Sequence, residues 1–269
     1  IAEVNMFFAL IGGDERQKYL KESLEKDGHA VSSFALCEEG DIHSAVRRAD
    51  AVILPLPAFR NGYLNAPYAR EKYEKDAILS LISGKRVFGG QTDDAVTEDY
   101  YKYEELLLSN ALITAESAVN IIQREIKDTV CGKNFLVLGY GRIGKALCRI
   151  LRAMGGSAAA AARRPESLTQ ARIDGIEPLE YGRIAERAEE FDVVINTVPE
   201  RIFGKSEIEK TREDCILAEL ASPPYGIDLE CAEKLRRRAL LLPGLPGKVM
   251  PKAAAEAIKE TIYNMMEGK

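Results

Sequence analysis

Apolar residues recur along this chain in short blocks, separated by glycine-bearing turns and by charged stretches of helical period. "NMFFALIGGDERQ" (5–17) predicts a buried strand, a Gly-Gly turn and a helix opening at Asp14. "HAVSSFAL" (29–36) and "ADAVILPLP" (49–57) predict two further strands, the second stopped by its prolines. "AREKYEKDAILSLISG" (69–84) reads as a helix ending at Gly84, and "KRVFGG" (85–90) as the next strand. Strands alternating with helices argue for a parallel sheet covered on both faces.

After "ELLLSNALI" (105–113), "TAESAVNIIQREIKD" predicts a helix capped by Thr114, with Glu116 in its first turn. Its apolar face is Ala115, Ala118, Val119, Ile122 and Ile126, and it reads as a bridge between domains. A second alternating series follows. "NFLVLG" (134–139) is a strand and "RIGKALCRILRAM" (142–154) a helix with apolar residues at close helical spacing. Further strands are predicted at 157–162, 176–179, 191–198, 215–221 and 238–244, which completes the six of a full Rossmann unit. "PGLPGKVMPK" (243–252) reads as a hinge. "PKAAAEAIKETIYNMM" (251–266) reads as a last helix, Pro251 in its first turn, crossing back to cover the N-terminal series.

The expected fold is therefore α/β, with two doubly wound parallel-sheet domains and an interdomain cleft. Residues 1–113 plus 245–269 form a flavodoxin-like substrate domain, and 114–244 the Rossmann dinucleotide-binding domain. Composition adds exclusions. The formal charge of −5 comes with cations spread through the chain, so no basic patch marks a nucleic acid or an acidic membrane as partner. No unbroken apolar run approaches the ~18 residues of a membrane span, and the first residues show no basic n-region, apolar h-region and small-residue cleavage site, so no secretory leader is expected. It begins at Ile1, so a few residues are expected to precede it. Cys37, Cys131, Cys148, Cys215 and Cys231 lie far apart, without a C-x-x-C pair. They are expected to be small buried hydrophobes in a reducing cytosol, not ligands of a structural metal.

The chemistry gathers around "GYGRIG". Gly139 permits the tight turn, Gly141 lets backbone approach a pyrophosphate, and Gly144 lets helix and strand pack closely. Arg142 and Ile143 belong to the same turn, whose helix N-terminus offers free N–H groups to phosphate. The strand "SAAAAA" then runs into Arg163 and Arg164, where an NAD-binding domain carries an acid for the ribose 2′-hydroxyl. Two cations favour a 2′-phosphate, hence NADP, with Arg142 able to assist. Asn196, Thr197, Val198 and Pro199, from "INTVP", and Ser222, from "ELASPPYG", border the nicotinamide side; for Asn196 and Ser222 the plain alternative is loop capping.

Acid–base candidates are few. His29 and His43 lie in no recognisable motif, which counts against a 2-hydroxy-acid dehydrogenase with a histidine base. Glu116, Lys252, Lys248, Asp14 and Arg16 remain, each with a plain alternative as a helix-end charge, a cap or a solvated side chain.

"IGGDERQ" (11–17), "VILPLPA" (52–58), "LITAES" (112–117), "VLGYGRIGKAL" (137–147), "INTVPERIF" (195–203), "LASPPYGID" (220–228) and "LLPGLPGKVMPK" (241–252) together resemble the A subunit of dipicolinate synthase. The resemblance runs in order over almost the whole chain, and the GGD-x-RQ and PGLPG-x-V-x-PK motifs are its most specific parts. It implies a cytoplasmic, two-domain oxidoreductase of the lysine/diaminopimelate branch, oxidising a dihydrodipicolinate with NADP during sporulation. It also implies a partner, the flavoprotein-like B subunit, beside possible homo-oligomerisation. On this reading Arg16 and Lys252 meet the substrate's two carboxylates, with Asp14 and Ser222 at the substrate and Glu116 taking or relaying the proton. The chain departs from the family pattern at Pro223 and Tyr225, where Arg and Gly are usual, and at Lys248, where an apolar residue is usual. Two other readings stay open. One is an imine or hydroxy-acid dehydrogenase for another small diacid; the other is a cofactor-binding subunit that is inert without its partner.

Overall fold

The structure is a computed structural model that describes residues 5–36 and 41–268. The chain divides into two units, Ile1–Asn110 with Pro246–Lys269, and Ala111–Leu245. In the first, strands Phe7–Ile11 (β1), Ala30–Phe34 (β2) and Ala51–Ile53 (β3) are followed by a small hairpin, Phe59–Arg60 (β4) and Tyr63–Leu64 (β5). Arg86–Gly89 (β6) and Thr97–Asp99 (β7) complete a parallel sheet of order β2-β1-β3-β6-β7. Ignoring the hairpin, this is the 2-1-3-4-5 order of flavodoxin-like folds.

Successive strand residues point to opposite faces, and the sequence uses both. Phe8, Leu10, Ala51, Ile53 and Phe88 face helices Glu15–Lys26 (α1) and, at the end of the chain, Pro251–Glu267 (α11). Ala9, Ile11, Val52, Leu54 and Val87 face helices Ile42–Arg48 (α2) and Lys75–Ile82 (α3). The final helix thus does cover the N-terminal sheet. Burial of Ile258, Ile262 and Met265 against Leu20 and Leu24 contributes about 1.5–3 kcal/mol per side chain.

Helix Glu104–Ile126 (α4) leads into the second unit. There Asn134–Leu138 (β8), Arg142–Ala153 (α5), Ser157–Ala162 (β9), Pro165–Ile173 (α6) and Glu177–Glu180 (β10) form one half. Short helix Ile184–Arg187 (α7) precedes Val193–Asn196 (β11), Lys205–Ile208 (α8), Ile216–Glu219 (β12), Leu229–Lys234 (α9) and Arg238–Leu241 (β13). All six strands are parallel, in order β10-β9-β8-β11-β12-β13. That is the 3-2-1-4-5-6 order of a Rossmann domain. The fold class is α/β, two doubly wound parallel sheets, the second of Rossmann type.

Four expectations require correction. The helix predicted over 69–84 begins only at Lys75, because the residues before it are taken by the β4–β5 hairpin. Leu64 N donates to Tyr73 O (2.8 Å), Lys75 N donates to Gly62 O (2.9 Å), and Tyr73 packs edge-on against Phe34. Thr114 is no cap. It lies buried in the middle of α4, which starts ten residues earlier at Glu104 because nothing between them breaks the helical period. The predicted hinge contains a short helix, Leu245–Val249 (α10). Finally, only Cys148 and Cys215 are buried; Cys131 is exposed and Cys231 half-buried, while Cys37 lies outside the described residues. Burial pushes the thiols of Cys148 and Cys215 up to about 12, which keeps them protonated and unreactive.

Among the described residues α4 is the one helix long and apolar enough to cross a membrane, with a mean hydropathy of 1.2. It reaches that value as an average, not as an unbroken apolar run. Its Ala115, Ala118, Val119 and Ile122 are buried in the protein.

Candidate functional site

The turn between β8 and α5 has glycines where close backbone approach requires them. Gly139 takes φ +96°, and a Cβ there would lie 2.6 Å from Thr197 Oγ1 and from Val198 Cγ2. A Cβ on Gly144 would lie 2.0 Å from Gly139 O, so only glycine lets α5 approach β8 this closely. Gly141 is the N-cap of α5; no side chain caps its amides, and the first turn has no acid. Open space surrounds the position a Gly141 Cβ would take. Among the described residues no side chain caps this helix end and its first turn holds no acid, so its amides and dipole fit a pyrophosphate. Arg142 is exposed and Ile143 half-buried beside it. Tyr140, inside the motif, points its hydroxyl to Asp174 (2.7 Å); burial first, then this bond, raises its pKa.

Register places the other candidates on the same edge. Leu138 pairs with Ala161 of β9 and with Asn196 of β11, and Asn196 with Glu219 of β12. Immediately past β9, Arg163 and Arg164 are exposed, Arg164 as the N-cap residue of α6. Arg163 forms an ion pair with Glu200 at 3.2 Å, both side chains mostly exposed (70% and 60%). Such a pair contributes about 0–1 kcal/mol and yields readily to a stronger anion.

Past β11, both Thr197 N and Thr197 Oγ1 donate to Leu138 O (3.0 and 2.8 Å), fixing "TVP" beside the glycine turn. Asn196 is fully buried. Its Nδ2 donates to Val198 O (2.9 Å) and to Glu219 Oε1 (2.7 Å), and its Oδ1 accepts from Val198 N (3.1 Å). Its amide is spent on the loop, as the capping alternative described. Ser222 and Pro199 are exposed. Sequence reasoning missed Glu219, a fully buried carboxylate ending an apolar strand, and Glu200; an acid set inside the apolar run "CILAELA" was the available signal.

In the first unit Arg16 does not face solvent. Its Nε donates to Asp14 Oδ1 (2.9 Å) and its Nη2 to Asp14 Oδ2 (2.7 Å) and to Leu56 O, with the guanidinium side chain 11% exposed. Burial opposes its charge, but the bonds to Asp14 hold its pKa above the ordinary arginine value. Gly247 of α10 packs against this pair, and a Cβ there would lie 2.9 Å from Arg16 Nε. Lys252, in the first turn of α11, and Lys248 are exposed, as is Glu116 on α4. His29 accepts from Met6 N through Nδ1 (3.3 Å) and packs between Phe8 and Tyr263, a structural role. His43 is exposed on α2.

Residues 7–108 match the family model for the N-terminal domain of the dipicolinate synthase A subunit. Residues 110–240 match the S-adenosyl-L-homocysteine hydrolase NAD binding domain. The dipicolinate synthase A subunit of Bacillus subtilis (strain 168) is 25% identical over 284 residues, covering 96% of this chain and 95% of that protein. The crystal structure of the dipicolinate synthase A subunit from Bacillus halodurans superposes with a TM-score of 0.83 at 24% identity, covering 97% of each chain. A Salmonella D-lactate dehydrogenase shares the fold alone, with a TM-score of 0.61 at 14% identity over 97% of this chain and 96% of that one. The second unit is thus a Rossmann domain of the nicotinamide-dinucleotide-binding kind, and across both units the chain is similar to the A subunit of dipicolinate synthase, as its motifs predicted.

Proposed function

We propose that this chain is an NADP-linked oxidoreductase of the dipicolinate synthase A type, which oxidises a dihydrodipicolinate to the aromatic diacid. The observation that carries the reading is the cation pair Arg163–Arg164 at the end of β9, in a chain similar to that subunit over 96% of its length. An acid at this place would repel a 2′-phosphate; two arginines attract it, and the weak contact with Glu200 leaves Arg163 able to turn to it.

The bound nicotinamide would accept a hydride from a ring carbon of the substrate. Loss of that hydride and of one proton makes the pyridine ring, and aromatisation drives the step without a strong dedicated base. Glu116 takes the role of proton acceptor, and Arg16 and Lys252 those of carboxylate partners, with Asp14 setting the Arg16 fork and Ser222 contributing a hydroxyl. Asp14 and Leu56 O take the Nε and Nη2 hydrogens of Arg16 and fix its guanidinium, which leaves Nη1 as the end that would meet a substrate carboxylate.

The test is NADPH formation by the purified chain given NADP and freshly generated dihydrodipicolinate, repeated with NAD and with Arg163→Asp plus Arg164→Asp. Turnover with NADP that the double variant loses supports both substrate and cofactor. Binding of NADP without turnover moves the reading to a protein that works only with its B partner, which the relatives' names, those of one subunit of a synthase, favour. Turnover that keeps its NADP preference in the double variant sinks the role given to the arginines.

A further inference from the structure

At the carboxyl edge of the second sheet, one buried acid ties the end of β11 to the loop that follows β12. Glu219 is fully buried, and its carboxylate accepts four hydrogen bonds. Oε1 receives Ala221 N (2.8 Å) and Asn196 Nδ2 (2.7 Å); Oε2 receives Gly226 N (3.0 Å) and Ile227 N (2.9 Å). Four donors, three of them backbone amides, compensate the carboxylate for the water it has lost. An apolar residue in its place would leave Ala221 N, Gly226 N, Ile227 N and one Asn196 Nδ2 hydrogen without this acceptor, so the carboxylate is the group on which these loops close.

What the carboxylate fixes is specific. Through Asn196 it sets Val198 and the "TVP" loop that packs on Gly139. Through its backbone bonds it closes the 221–227 loop, in which Tyr225 is held at φ +64°, a left-handed conformation costly for a side chain of its size. The two loops meet where a Cβ on Gly226 would lie 2.5 Å from Asn196 Nδ2 and 2.6 Å from Val198 O. A Rossmann sheet has two mononucleotide halves, and β11 and β12 belong to the half opposite the adenosine side of β8 and β9.

We propose that Glu219 is a positioning residue for the nicotinamide half of the dinucleotide, acting through Asn196 and the 221–227 backbone. This inference rests on the dinucleotide reading above. It separates two parts of one site: Gly139–Gly144 and Arg163 hold the adenosine and pyrophosphate, while the Glu219 clamp fixes the loops that receive the nicotinamide ring.

The experiment compares ligands that reach one half or both. NADPH and NADH, whichever binds, are titrated against Glu219→Gln beside the matching adenosine-half fragment, 2′,5′-ADP or ADP. Glutamine keeps the shape but turns an NH₂ toward backbone N–H groups. The expected result is a rise in dinucleotide Kd of about tenfold or more with fragment Kd within about twofold, together with loss of the wild-type fluorescence shift of the bound reduced nicotinamide. Gly226→Ala, which pushes on the clamp from the loop side, gives the same split and serves where Glu219→Gln does not fold. Equal weakening of both ligands, or of neither, overturns the assignment. A wild-type chain that binds neither dinucleotide overturns the cofactor reading itself, before any variant is made.

Discussion

Two turns in this protein start alike and end differently. β1 runs through Gly12 and Gly13 into α1, and β8 runs through the 139–141 turn into α5; each opens a helix at the edge of a parallel sheet. In the first, Gly12 N donates to Phe34 O and Gly13 N to Asn65 O, both at 2.8 Å. Asp14 caps α1 by accepting from Arg16 N, and Glu15 adds a second acid to the first turn. An anion of the protein's own already fills that helix end, balanced by the Arg16 guanidinium. In the second, the cap is a bare glycine and the cationic residues are Arg142, Arg163 and Arg164. One supersecondary unit thus offers two different helix ends: the acid at α1 disfavours a second anion and orients an arginine, while the acid-free first turn of α5 suits a phosphate.

Gly144→Ala breaks the comparison most severely. Its methyl group would lie 2.0 Å from Gly139 O and must push α5 off β8. The expected outcome is about 1–3 kcal/mol of destabilisation in thermal or urea unfolding, with dinucleotide binding lost in titration. Gly141→Ala is its partner test, because nothing stands near the added Cβ. Stability should change by less than about 0.5 kcal/mol while dinucleotide affinity still falls, since the methyl group obstructs backbone approach to phosphate.

Asp14→Asn attacks the other turn. It leaves the Arg16 guanidinium, 11% exposed, without its countercharge, at an expected cost of about 2 kcal/mol. Dinucleotide Kd should not move, and a matching loss of cofactor affinity would contradict the division of labour between the turns. Arg163→Ala and Arg164→Ala sharpen the second turn. Each lost phosphate contact should raise the Kd for NADP about ten- to hundredfold and leave NAD unchanged. Glu200→Gln should tighten NADP by no more than about fivefold, because the pair it removes is exposed.

The smallest effect lies at the far end of α1. Asp27 is held below the usual aspartate range chiefly by Lys259, whose Nζ lies at 2.7 Å, with Tyr263 donating as well and burial opposing. A depressed folded pKa gives stability that is complete above the unfolded value of about 3.9 and is lost as pH falls through the folded value. Asp27→Asn should therefore lower Tm near neutral pH and flatten part of the acid fall below about pH 4. Because the Asp27 side chain is 38% exposed, the effect should stay within about 1 kcal/mol.

Much of this was legible in the chain. The strands of the second unit follow directly from their apolar blocks, and "GYGRIG" marks its own turn, because glycine spacing and strand-to-helix context are local properties. Local signals failed where a distant segment competed. Residues 69–74 carry helix-forming side chains, yet Tyr73 O accepts from Leu64 N and Glu74 bridges to Tyr63, so this backbone pairs alongside the hairpin instead. Thr114 has the chemistry of a cap, yet α4 runs through it because helical packing begins upstream.

The site divides in the same way. Which residues lie near the carboxyl ends of β8, β9, β11 and β12 is written in the sequence to within two or three positions, because the apolar blocks mark the strands but not their last residues. Who pairs with whom is not. That Asp14 occupies Arg16, that Glu200 meets Arg163, and that a buried Glu219 gathers Asn196 and the amides of 221–227 all depend on how the folded chain brings these groups together. Hydrogen bonds and ion pairs are short-ranged and directional, so the sequence alone determined which groups were available at these edges, and only the tertiary packing decided which of them meet.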